Sequence, residues 1–506
     1  QNFLSRRYND RTDEYGGSLE NRARLLRQLL EDAREQVDGK AAVACRLSVD
    51  ELIGSQGWER DEVEQLFGML GEHPDLWDLQ VGPWTFDSST ARFEPESFQE
   101  DYVLGLKQLT TKPVVGVGRF TSPDEMVRQV RSGVMDLIGA ARPSIADPFL
   151  PKKLEEGRID DIRECIGCNI CVSGDFLSVP SRCTQNPTLS EEWRRGWHPE
   201  RIDPKRSNQR ILVVGGGPAG LEAAQAAGKR GYEVVLVESS RDLGGRVSRE
   251  ARLPGLATWG RVVDYRLSQI DQLPNVEYFR ESEMTADDAL AHGFDQICVA
   301  TGSAWRADGV GRTHARPMPI EGGVEIMTPD DLMDGRRPKG ESVFVFDDDH
   351  YYMGGVIAEL LAKSGKRVHI GTTAPVVSPW TVHTMEQQRI QQSLLSAGVE
   401  PVVNSTLDRV AAGGVFVSDT YSGETSMLAC DAVVMVAARR PTDGLYQELM
   451  NRAGEWSQAG LTSVRAVGDC WAPSTIAAAV WSGRRFAEEL ESDVDIDKPF
   501  GRELAF

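Results

Sequence analysis

Residues 210–238 read RILVVGGGPAGLEAAQAAGKRGYEVVLVE. An apolar run, a glycine-rich turn, a helix-forming run and a second apolar run ending in an acid follow the order of a β-α-β nucleotide fold. Gly215-x-Gly217-x-x-Gly220 opens the helix, with Pro218 and Ala219 in the turn. Such glycines permit the tight turn, close approach to a pyrophosphate, and packing of helix on strand. The helix N-terminus then faces the phosphates. Glu238 ends the second strand, 23 residues after Gly215, where an acid binds ribose hydroxyls. Gly245, Arg246 and the Gly468-Asp469 turn complete the expected nucleotide contacts. The pattern serves FAD and plain ADP alike, and a coincidental glycine-rich turn is the plainer alternative.

Beyond this stretch a further strand–helix–strand unit, ESVFVFDDDHYYMGGVIAELLAKSGKRVHIG, occupies 341–371. Where a reductase carries glycines, it has Asp347-Asp348-Asp349-His350-Tyr351-Tyr352. Three carboxylates repel a pyrophosphate and bulky side chains block its approach. This unit is therefore expected to be a scaffold, and NAD(P)H not to be a substrate. A strand, a turn and a helix, VRAVGDCWAPSTIAAAVWSGRRFAEEL, close the pattern at 464–490.

Upstream, residues 1 to about 150 alternate helix and strand. The expected helices are NRARLLRQLLEDAREQV, DEVEQLFGMLGEH, FQEDYVLGLKQLT and SPDEMVRQVRSG. The expected strands are AAVACRLSVD, LWDLQVG, KPVVGVGR and MDLIGAAR. Both a doubly wound sheet and the later half of a (β/α)8 barrel give this alternation. The missing phosphate loop after the first strand favours the barrel half. Barrel chemistry lies at the C-terminal strand ends, which here carry Arg46, Trp84, Asp87, Gly118-Arg119 and Ala141-Arg142. The last two pairs follow the final strands, where barrels bind phosphate, and would suit FMN. Arg46 is expected at the flavin pyrimidine edge. The alternative is that these arginines form surface ion pairs.

Between the two regions lies Cys165-x2-Cys168-x2-Cys171-x11-Cys183. Two-residue spacings bring three thiolates to one centre and a fourth arrives from a distal loop, as soft iron in a [4Fe–4S] cluster requires. A zinc site more often pairs distant CxxC units. The other cysteines, Cys45, Cys298, Cys430 and Cys470, are scattered. This usage points to a reducing compartment, with a cytoplasmic location expected.

The 506 residues allow about three domains. The expected boundaries are a barrel half at 1–160, a cluster loop at 161–205, a nucleotide fold at 206–335 plus 440–506, and the second such fold at 336–439. The net charge of −21 argues against a nucleic-acid partner. No apolar run approaches the ~20 residues of a membrane span, and no signal-peptide pattern opens the chain. The chain opens at Gln1 inside what reads as a loop, so an upstream segment is expected.

NDRTDEYGGSLENRARLL, VVGVGR, GAARPSIADPF, ECIGCNIC, RCTQNP and EEWRRGWHPE together resemble the trimethylamine dehydrogenase family, from Gln1 to near Phe506. The resemblance implies an FMN barrel, a [4Fe–4S] loop and two nucleotide-fold domains, with ADP rather than FAD in the first. It also implies a homodimer, a 6-S-cysteinyl FMN linked upstream of Gln1, and a Tyr–His–Asp constellation whose Asp is Asp87. Trp84 matches one wall of an aromatic bowl that attracts a cation. Asp175 stands where the trimethylamine enzyme has a second wall, and a carboxylate there favours an amine with several N–H donors. That arrangement resembles the histamine-oxidising members; a turn-capping role for Asp175 is the alternative. The implied reaction is oxidative deamination of a small amine, most simply histamine. Electrons would pass from FMN through the cluster to an external carrier such as an electron-transferring flavoprotein. Trimethylamine, dimethylamine or dimethylglycine oxidation, and an NAD(P)H-dependent enoyl reductase, are the alternatives.

Overall fold

The computed structural model describes residues 2–491 and divides into two compact units, Gln1–Ile159 and Asp160–Phe506. In the first, the helix Leu19–Val37 starts at Ser18, whose hydroxyl accepts the Asn21 N–H, and stops at Asp38 in the left-handed region. The helix buries Ala23 and Leu30, together with Arg22, which pairs with Glu62. The strands Ala44–Ser48, Leu76–Gln80, Val114–Gly116 and Leu137–Ile138 form one parallel sheet in sequential order. A doubly wound sheet reverses from a central strand, whereas a barrel winds one way only, so this order is that of a barrel segment. Its core includes Trp77, Leu79, Leu66 and Phe67.

One expected helix is not continuous. FQEDYVLGLKQLT forms a single turn, Glu100–Val103, and a 3-10 turn, Leu106–Leu109. Gly105 between them has φ 88°, which ends the first turn.

The second unit holds two five-stranded parallel sheets. The first runs Ser463–Ala466, Gln296–Val299, Arg210–Val214, Glu233–Val237, Val276–Phe279. The chain winds outward from Arg210–Val214 and then returns to its other side. That leaves a topological switch point, where such sheets bind ligands. The second sheet runs Glu325–Met327, Ala432–Val436, Ser342–Asp347, Arg367–Gly371, Glu400–Val402. Its edge strand Glu325–Met327 precedes the boundary expected at 336, and three residues are too few to show a period. An antiparallel meander, Ser405–Ala411, Gly414–Asp419 and Thr425–Ala429, packs Leu407, Val410, Val415 and Val417 against Phe344 and Phe346. Ser303–Trp305 pairs with Arg439–Pro441 and ties the two folds together. The cysteine segment, expected as loop, contains the helices Ile170–Phe176 and Glu192–Arg195.

Candidate functional site

The glycine turn behaves as its spacing demands. Gly215 has φ 107°, and a Cβ there would lie 2.4 Å from the Ala300 carbonyl oxygen. A Cβ on Gly220 would lie 1.9 Å from the Gly215 oxygen. These two glycines serve backbone packing. Gly217 is different, since a Cβ there would meet no protein atom within 4 Å. It caps the helix Pro218–Lys229 and opens on a cavity of about 880 Å3. Pro218, Ala219, Glu238 and Gly245 line the same cavity. The Glu238 carboxylate accepts the Gly216 N–H at 2.7 Å and the Ser240 N–H at 2.8 Å, so turn and second strand are locked together. A helix N-terminus, an open glycine and a fixed acid fit an adenosine diphosphate.

Arg246 and Asp469 also line this cavity, but they bind each other at 2.8 Å. Asp469 is shared with Arg439 at 2.5 Å. Burial alone would raise the Asp469 pKa, yet the two guanidiniums hold it below the usual carboxylate range. Arg439 was not legible from sequence, because its partners lie in distant segments.

All eight cysteines are free thiols. In the cysteine loop, the Gly167 N–H donates to Cys165 Sγ at 3.4 Å, and Thr184 Oγ1 lies 3.2 Å from Cys168 Sγ. Backbone N–H groups of Ile170 reach Cys168, and those of Asn186 and Gln185 reach Cys183. Burial lifts Cys168 to about 12 and Cys183 to about 11, and neighbouring thiols add to both shifts. Such thiols lose their protons when a metal takes the proton's place. Among the described residues, no three ligand-type groups converge as those of a single ion do. A four-iron cluster spreads its thiolates around a cube. Buried thiols with N–H groups aimed at sulfur fit that group, since such hydrogen bonds tune a cluster.

The loop is anchored on both nucleotide folds. Asn169 Nδ2 donates to the Thr384 carbonyl at 3.0 Å. Gln185 donates to the carbonyls of Glu164 and Arg261. Buried Arg266 donates to both oxygens of Gln185, at 3.0 and 3.2 Å, and to Glu222 at 2.8 Å. The sequence did contain a signal for Arg266. It stands in the apolar stripe of the helix Arg261–Asp271, beside buried Val262, Tyr265 and Ile270.

In the second fold the three aspartates differ in surroundings, and Asp349 lines a cavity of about 340 Å3. Asp347 and Asp348 are buried. Asp347 accepts the N–H groups of His350 and Ser378, and Asp348 accepts from Thr313. An internal carboxylate thus takes up loop amides, while Tyr351 and Tyr352 pack edge-on at 4.6 Å.

In the first unit Arg46 lies in mid-strand rather than at a strand end, and pairs with Asp78 at 2.7 Å across the sheet. Strand alternation faces both the same way. Trp84 and Asp87 form a helical turn after the second strand. Trp84 is 49% exposed, and Asp87 accepts from Gln99 Nε2 at 2.9 Å. Gly118 and Arg119 follow the third strand; Arg119 is buried with φ 59°. Ala141 and Arg142 begin the helix after the fourth strand, and Arg142 donates to the Ser89 carbonyl at 2.8 Å. Two guanidiniums after the final two strands suit a phosphate. In the second unit, Asp175 is exposed and lies in the last turn of the helix Ile170–Phe176.

Residues 1–161 match the NADH:flavin oxidoreductase / NADH oxidase family model. Residues 213–280 match an NAD(P)-binding Rossmann-like domain and 327–434 an OYE-like second alpha/beta domain. A solved histamine dehydrogenase from Rhizobium sp. 4-9 is 53% identical, with TM-score 0.97, covering 100% of this chain and 74% of that one. A 6-hydroxypseudooxynicotine amine oxidase from Pseudomonas geniculata N1 is 45% identical, with TM-score 0.91, covering 97% of this chain and 73% of that one. The dimethylamine dehydrogenase of Hyphomicrobium sp. (strain x) is 39% identical over 99% of this chain and 72% of its own length. With this fold, these thiols and these likenesses, the chain belongs to the trimethylamine dehydrogenase family of amine dehydrogenases.

Proposed function

We propose that the protein oxidatively deaminates a small amine, with histamine as the first substrate to test, and passes the electrons to an external carrier. The observation that carries this reading is the 53% identity to a histamine dehydrogenase over the whole chain. FMN would supply the hydride acceptor, the [4Fe–4S] cluster a one-electron relay, and ADP a structural nucleotide. Arg119, Arg142 and the backbone at Gly118 and Ala141 would hold the FMN phosphate. Arg46 would counter negative charge on the flavin ring, though it must share itself with Asp78. Cys165, Cys168, Cys171 and Cys183 would hold the cluster.

Trp84 offers an exposed ring face to an amine cation. Asp87, fixed by Gln99, has a second oxygen with which to orient a proton-carrying partner. Asp175 is an exposed carboxylate, suited to an ammonium or imidazolium with several N–H groups. The neutral amine would give up a hydride from its α-carbon, for which FMN would be the acceptor, leaving an iminium ion that water converts to aldehyde and ammonium.

Anaerobic titration tests the reading. Histamine should bleach the flavin near stoichiometrically. Bleaching by trimethylamine or dimethylamine but not histamine would replace the substrate, and rapid bleaching by NADPH would replace the reaction class.

A further inference from the structure

Two cavities of the second unit meet at one side chain. The nucleotide cavity of about 880 Å3 and a second cavity of about 340 Å3 both have Arg246 in their walls. The smaller cavity reaches Cys168 and is faced by the rings of Trp259, Tyr351 and Trp380. Arg246 is held in place between them. Its Nε donates to Glu250 at 2.8 Å, and its Nη1 to Asp469 and the Ser474 carbonyl, both at 2.8 Å. Its Nη2 donates to the Tyr352 hydroxyl at 3.3 Å, and that hydroxyl donates to Glu250 at 2.5 Å. Arg439 also binds Asp469. Two guanidiniums and two carboxylates therefore balance in one buried network. A guanidinium has five N–H donors, and the four contacts to protein acceptors leave Arg246 little with which to bind a ligand.

We propose that Arg246 and its partners are a selectivity plug that limits the bound nucleotide to an adenosine diphosphate. This rests on the nucleotide reading of the larger cavity. The fold itself accommodates dinucleotides across such a crevice. A dinucleotide with its pyrophosphate at Gly217 would have to send its second half past Arg246 into the ring-lined cavity. Moving Arg246 leaves Glu250 with the Tyr352 hydroxyl but no guanidinium, and Asp469 with one arginine. A nucleoside diphosphate ends before that point and leaves the network intact. The device also separates an aromatic chamber beside a cluster ligand from the nucleotide that the fold would otherwise deliver there.

The test offers ADP and FAD at equal concentration to the full-length protein, then identifies released nucleotide by mass spectrometry. Wild type should retain ADP over FAD by at least a hundredfold. In Arg246→Ala that ratio should fall at least tenfold, with FAD retained. An unchanged ratio in a folded variant overturns the proposal, whatever the wild type holds. If Arg246→Ala does not fold, the wild-type competition still decides: a preference below tenfold overturns the plug while leaving the nucleotide site standing. Wild type that binds neither nucleotide removes the site itself, and the plug with it.

Discussion

Arg266→Met should loosen the cysteine loop without touching a cysteine. Arg266 is fully buried and donates to Glu222 at 2.8 Å, with only 5% of the Glu222 side chain exposed. Removing the guanidinium leaves that carboxylate buried and unpaired, which costs about 3–5 kcal/mol. The two Gln185 oxygens also lose their donor, at roughly 1 kcal/mol each. Gln185 stands two residues after Cys183, and its backbone N–H points at that sulfur. The variant should therefore unfold at lower urea and retain less iron. Arg266→Met/Glu222→Met removes both charges and should recover most of the stability, because replacing a buried pair by apolar groups is near neutral. Urea unfolding followed by tryptophan fluorescence, with iron content measured in parallel, reads both effects. A single variant within about 0.5 kcal/mol of wild type, or a double variant as unstable as the single, would refute the reasoning.

Burial, with the nearby Asp349 charge, lifts Asp347 to about 7. Its native pKa lies above the unfolded value of about 4, so it supports the fold while protonated, and that support is lost as pH rises through about 7. Asp347→Asn should flatten this part of the dependence of Tm on pH between about 4 and 7; parallel curves would contradict it. Gly217→Ala should leave stability nearly unchanged but weaken ADP at least tenfold, about 1.4 kcal/mol, in calorimetric titration. Gly220→Ala should instead destabilise the fold by about 1–3 kcal/mol, since its Cβ would overlap the Gly215 oxygen. Asp175→Trp should shift kcat/KM toward methylated amines, and an unchanged substrate profile would remove Asp175 from the substrate argument.

Local patterns were legible wherever the physics is local. The turn at Gly215–Gly220, the strand ending at Glu238 and the helix from Leu19 each follow from a few adjacent residues. The cysteine spacing leads to the proposal of a shared centre by equally local reasoning. What the sequence hid depends on partners far along the chain. Asp469 lines the nucleotide cavity, but the arginines that hold it, Arg246 and Arg439, stand 223 and 30 residues away. Asp347 and Asp348 read as charges that repel a pyrophosphate, and their inward turn to accept loop amides depends on partners the local sequence does not show. Arg46 looked like a strand-end residue because strand limits are not encoded sharply; the register that sets it opposite Asp78 lies in another segment. The meander at 405–429 alternates only weakly in polarity, and its pairing rather than its composition defines it.

On the proposed function, four thiols of one loop carry a cluster that takes electrons from a barrel-bound flavin. Iron and acid-labile sulfide should be measured in protein purified without oxygen, beside a Cys168→Ser/Cys183→Ser variant. About four of each per chain, lost in the variant while fold is retained, is the result predicted. Wild-type protein with bound flavin but no iron, or iron unchanged by the two substitutions, would contradict it.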